Sequence, residues 1–209
     1  MSAKPSSRPV VQETPLSRAL SGCGPTAKAT PVDAFKVART WFLEGRRVDM
    51  QQLAETLGVS RATLYRWCGN REQLLGEVIW ALTEEQLNRT KSKVAGSGLG
   101  YVTEVIGTCI AKFRTSKNLR RLLSDDPAYA LRLMTSKHGI VQGRMIDWCA
   151  ELLSGLNLRP DLDLPDLSYV IVRICESFVW SDLITGAEPE TEKAVVIIEL
   201  LLGAAQVAE

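Results

Sequence analysis

Residues 49–75, DMQQLAETLGVSRATLYRWCGNREQLL, read as two short helices joined by a tight corner and followed at once by the start of a third. Asp49 is placed to cap the first helix, its carboxylate accepting backbone N–H groups of the first turn. Leu53, Ala54 and Leu57 then fall on one face at helical spacing. Ala54 is small where two crossing helices must approach. Gly58 takes a left-handed backbone without a Cβ penalty, so it ends the helix and turns the corner. Val59 plugs that corner. Ser60 caps a second helix in which Leu64 and Trp67 point inward and Arg61, Ala62, Thr63, Tyr65 and Arg66 face out. A small residue, a glycine four later and an apolar residue six after that glycine form the packing pattern of a helix-turn-helix.

The same spacing also suits an ordinary helical corner with no partner. What favours nucleic acid is the outward face of the second helix, which carries Arg61, Arg66, Tyr65 and Thr63, with no acidic residue until Glu72. A merely solvated face mixes signs. Arginine can fork onto guanine or phosphate, and tyrosine, serine and threonine hydroxyls reach phosphate oxygens. Arg61 is the expected base reader. Ser60, Thr63, Tyr65, Arg66 and Arg71 are expected beside it, with Tyr65 and Arg71 on phosphates.

Ser60-Arg61-Ala62-Thr63-Leu64-Tyr65-Arg66-Trp67, followed by Asn70-Arg71-Glu72-x-Leu74, resembles the recognition helix and next helix start of TetR-family transcriptional regulators. The resemblance covers roughly residues 33–87. Trp67 stands where that family often has His or Tyr, Cys68 where it has Phe, Gly69 where it has Pro, and Arg71 where it has Lys. A phosphate contact is therefore not carried over to Trp67. The C-terminal segment RICESFVWSDLITGAEPE, with RATLYRW in the head, is similar to the lactone-catabolism branch of that family, the QsdR type. The resemblance implies a dimeric repressor with an all-α fold. An N-terminal three-helix DNA-binding domain would precede a C-terminal helical domain for ligand binding and dimerisation. Its fourth helix would transmit ligand-driven movement, and the effector would be a γ-lactone or acyl-homoserine lactone.

Outward from this stretch, net charge is +1, unevenly spread: residues 1–75 hold 11 Lys/Arg against 6 Asp/Glu (+5), and residues 76–209 hold 14 against 18 (−4). The basic half is the one that would neutralise phosphates. Residues 1–30 contain Pro5, Pro9, Pro15 and Pro25 with many serines and read as a disordered tail, not an export signal. A helix over about 32–46, with Ala34, Val37, Ala38, Trp41 and Phe42 on one face, should brace the corner, giving a DNA-binding domain over 31–90. Asn70 caps a helix over about 71–89, and the glycines at 96, 98 and 100 mark a boundary. A helical domain over 100–209 follows, with helices expected at about 101–116, 118–123, 126–135, 137–156, 166–185 and 190–206. Leu167–Ile184 and Ala194–Val207 are apolar nearly all round, so a second copy is the natural cover: a homodimer through the last two helices.

No apolar run reaches the ~18 residues a membrane helix needs, so no membrane partner is expected. Five scattered cysteines and one histidine, His138, offer no metal site and fit reduced thiols in the cytoplasm. No nucleophile–base motif or phosphate-cradling loop occurs, so neither catalytic residues nor a cofactor are expected. The unusual charges are Arg173 and Glu176, three apart in an apolar helix. Either they satisfy each other, or they anchor a small-molecule effector in a pocket walled by Phe113, Met134, Trp148, Phe178 and Trp180. The expected function is a ligand-released repressor on a palindromic double-stranded DNA operator. Two rivals remain: a helical sensor that binds no DNA, and a lactone-acting enzyme with Glu176 as base.

Overall fold

The structure, a computed structural model, describes residues 29–136, 139–186, 188 and 190–207. The expected N-terminal tail, apart from its last two residues, and His138 lie outside the described residues. Every named element is helical: α1 (Pro31–Glu44), α2 (Met50–Thr56), α3 (Arg61–Cys68), α4 (Arg71–Lys91), α5 (Gly98–Thr115), α6 (Lys117–Asp125), α7 (Pro127–Thr135), α8 (Ile140–Leu153), α9 (Leu164–Val179), α10 (Ser181–Ile184) and α11 (Thr191–Ala205). The all-α reading holds. An isolated antiparallel bridge from Leu158 to Gln206 ties the end of α11 to the loop before α9.

Local chemistry sets the boundaries. Thr30 and Asp33 form a reciprocal capping box at the start of α1, with Pro31 at its first position. Asp49 Oδ1 accepts from the amides of Gln51 (2.9 Å) and Gln52 (3.0 Å) to start α2. Gly58 turns the corner at φ +64°, and Ser60 Oγ accepts from Thr63 N (3.1 Å) to start α3. Asn70 and Gln73 make the second capping box, opening α4. The expected single helix over 166–185 is interrupted: α9 stops at Val179, Trp180 leaves helical geometry at φ −108° and ψ 14°, and α10 follows.

Ala34, Ala38, Trp41, Phe42, Leu53, Ala54 and Leu64 bury the inner faces of α1–α3. They pack on Leu74, Leu75 and Val78 of α4, and this cluster runs on without interruption into the helices beyond. Helix α4 is therefore the spine shared by both ends of the molecule. Polar pins hold it: Glu77 to Arg144 of α8 through two hydrogen bonds (2.7 and 3.0 Å), Glu85 to Arg39 of α1 (3.2 Å), and Glu72 to Arg132 of α7 (3.6 Å).

One apolar face has no cover among the described residues. On α11, Ala194, Ile198, Leu202 and Ala205 are buried, while Val196, Ile197 and Leu200 are exposed, Leu200 by 71%. Tyr169 and Val170 on α9 are exposed as well.

Candidate functional site

The head presents α3 outward. Leu64 is fully buried and Trp67 half-buried against the core, which fixes the rotation of the helix about its axis. Arg61, Tyr65 and Arg66 stand on the exposed face, Tyr65 41% exposed. Neither arginine makes an ion pair among the described residues. Ser60 and Thr63 share a hydroxyl–hydroxyl hydrogen bond (2.9 Å) at the helix start, each keeping capacity for a further partner.

Arg71 is placed differently from these five. Its Nε donates to Val48 O (2.7 Å) and its guanidinium lies 5.2 Å from the centre of the Tyr129 ring of α7. It joins the start of α4 to the α1–α2 turn and to α7, while its Nη groups make no described hydrogen bond. A second arginine makes a similar link from the other side. Arg121 of α6 donates to Phe42 O and to Asn118 Oδ1, filling the carbonyl-rich end of α1 with positive charge. Its approach requires a glycine at position 45: a Cβ there would meet Arg121 Nη1 at 2.5 Å, and φ is +84°. Helices α6 and α7 thus both hold the head through arginine contacts, α7 also through the Arg132–Glu72 pair.

The same two helices wall a cavity in the larger part of the molecule. It holds about 90 Å³ of free volume and is lined by α4 (Ile79, Thr83, Leu87), α5 (Ile106, Cys109, Ile110, Phe113), α6 (Leu119), α7 (Met134), α8 (Val141, Met145, Trp148, Cys149) and α9 with its exit (Ile171, Val172, Cys175, Glu176, Val179, Trp180). Of the pocket residues expected from sequence, Phe113, Met134, Trp148, Glu176 and Trp180 meet there, and Arg173 and Phe178 do not line it. Phe178 stands two residues past Glu176, about 200° round the helix, and packs elsewhere on the core. Arg173 lies on the exposed side of α9 and reaches Glu176 from outside.

Glu176 is the one acid among the described wall residues. Its side chain is 17% exposed, against 46% for Arg173, whose Nη1 donates to Glu176 Oε2 (2.6 Å). The other oxygen faces a residue sequence reasoning passed over: Gln142 of α8, 1% exposed, whose amide, with oxygen and nitrogen interchanged so that the nitrogen meets the two acceptors, donates to Glu176 Oε1 (2.6 Å) and Met134 O (3.2 Å). A polar residue on the Val141–Met145–Cys149 side of an apolar helix was the available signal. Burial pushes the Glu176 carboxyl up to about 7, the Arg173 charge and hydrogen bond opposing it.

The two wall tryptophans differ. Trp148 Nε1 donates to Asn88 Oδ1 (3.0 Å), whereas Trp180 Nε1 is buried with no acceptor among the described residues. Burial also raises the thiols of Cys109, to about 11, and Cys149, to about 12, which leaves them protonated. They behave as small apolar wall groups. Among the described residues no cluster could hold a metal ion, and no helix is long and apolar enough to cross a membrane.

Residues 97–203 match a family described as Tetracyclin repressor-like, C-terminal domain. Among solved structures the chain is similar to the transcriptional repressor QsdR of the TetR family from R. erythropolis, with 32% identity over 86% of this chain and 97% of that one and a TM-score of 0.77. It also shares the fold of the TetR family repressor AlkX from Dietzia sp. strain DQ12-45-1b, at 23% identity, 86% and 98% coverage and a TM-score of 0.60. A comparison with curated proteins finds no match.

Proposed function

We propose that this chain, which belongs to the TetR family of transcriptional regulators, is a ligand-released repressor that holds a palindromic operator as a homodimer. The observation that carries this reading is the sharing of α6 and α7 between the cavity and the head. Leu119 and Met134 face the cavity, while Arg121 and Tyr129, on the same two helices, meet Phe42 O and the Arg71 guanidinium. At about 90 Å³, the cavity is tighter than the roughly 300–1,000 Å³ usual for ligand sites. An entering effector therefore pushes its walls apart, and any shift of α6 or α7 is delivered to α1 and α4.

The division of labour runs at 31–90 for DNA and 100–209 for ligand and dimer, with α4 crossing between them. Arg61 reads a base; Tyr65 and the Nη groups of Arg71 hold phosphates, with Ser60, Thr63 and Arg66 alongside. The exposed apolar faces of α9 and α11 support a two-fold four-helix interface, which sets two recognition helices about one DNA turn apart. A γ-lactone or an acyl-homoserine lactone suits a wall that is apolar save for a few polar groups, in keeping with the likeness to QsdR in sequence and fold. The site of action is the cytoplasm.

Fluorescence anisotropy on DNA flanking the chain's own gene tests the reading. Tight binding that weakens linearly in log–log salt plots, two chains per site, and release by γ-heptalactone are expected. Absent or salt-insensitive binding would leave a helical sensor without an operator.

A further inference from the structure

We infer that the effector is an uncharged, mostly apolar molecule carrying a hydrogen-bond acceptor that the Trp180 indole N–H takes up. This rests on the cavity being the effector site. Trp180 forms part of the wall, is 6% exposed, and its Nε1 is buried with no acceptor among the described residues. A buried donor without a partner is costly, and a ligand that supplies the acceptor recovers that cost while an apolar ligand does not. The neighbouring indole offers no such reward, because Trp148 N–H is already held by Asn88.

The rest of the wall excludes charge. The only acid among the described wall residues, Glu176, has one oxygen engaged by Arg173 and the other facing the Gln142 amide, which donates to it once turned nitrogen-inward. A cationic ligand would have to compete with the Arg173 guanidinium, which already pairs with that carboxyl. An anionic ligand would face that carboxyl and an otherwise apolar lining, with no lysine or arginine among the described wall residues to receive it. Neutral carbonyl compounds, lactones and esters among them, satisfy both conditions. Arg173, one of the two charges expected to anchor an effector, does not line the cavity, and Trp180 takes that role.

Calorimetry with the full chain tests this, using three probes with the same alkyl tail: γ-heptalactone, propylcyclopentane (no acceptor) and 4-hydroxyheptanoate (the ring-opened anion). Wild type should bind the lactone about tenfold more tightly than either of the others. Replacing Trp180 by β-(3-benzothienyl)alanine exchanges N–H for sulfur and keeps the ring size. It should cost the lactone about tenfold and leave propylcyclopentane unchanged. Trp180→Phe should likewise abolish the preference. Unchanged lactone affinity in the sulfur variant, or a wild-type preference for the anion, would overturn the inference and leave the cavity an effector site. Binding of none of the three to wild type would overturn both.

Discussion

Glu176 concentrates the tension of the cavity in one side chain. An ion pair with Arg173 favours its charged form, yet burial outweighs the pair and its carboxyl sits at about 7 instead of 4.5. Between those two values the folded chain keeps a proton that the unfolded chain gives up. The associated stability is fully present below 4.5 and is lost as pH rises through about 7. A raised pKa of this size corresponds to at most about 3 kcal/mol. Urea denaturation at pH 5 and pH 8 should therefore show a fall in stability that Glu176→Gln largely removes. An equal fall in both proteins would mean the carboxyl titrates normally. The sequence revealed this residue because a charge in an apolar helix demands a partner, and it named Arg173 correctly as that partner. It could not reveal that Arg173 approaches from outside, since three residues of separation on a helix fit a shared pocket and a flanking pair equally well. Nor could it show that Trp148 finds an acceptor while Trp180 finds none; that difference depends on Asn88, sixty residues away from Trp148.

Elements were more legible than their coupling. Ser60, Gly58, Asn70 and Pro31 are local signals, and each ends or begins a helix within a residue or two of its expected place. The break at Trp180 had no such signal: neither glycine nor proline interrupts YVIVRICESFVWSDLI. The links between head and body were likewise silent. Arg121 reads as one charge among several in KNLRRLLSD, and only the fold brings it to the end of α1. Arg121→Ala should cost about 1–3 kcal/mol of stability through the lost charge-assisted hydrogen bond. It should keep operator affinity within a few-fold of wild type and at least halve, on a logarithmic scale, the loss of affinity that γ-heptalactone causes. Full lactone sensitivity in this variant would place the coupling in the α7 contacts with Arg71 and Glu72 or in α4 itself.

Across the described residues, one end exposes Arg61 and Arg66 on α3, the other holds an apolar cavity, and an exposed apolar stripe runs along α9 and α11. Charge counting located the first, and the nearly unbroken apolar letters of the last helices pointed to the third. The cavity was only half visible, because Ile, Leu, Val and Cys on its wall are the same letters that fill any core. The central claim is that cavity and operator compete through one set of helices. Binding linkage makes that claim quantitative: if the effector weakens the operator by some factor, about 5–150-fold for typical coupling, the operator must weaken the effector by the same factor. The direct measurement is calorimetric titration of γ-heptalactone into the free protein and into protein saturated with operator duplex. The prediction is weaker lactone binding to the operator complex, by the factor that lactone imposes on operator affinity. Equal lactone affinity in the two states would contradict it.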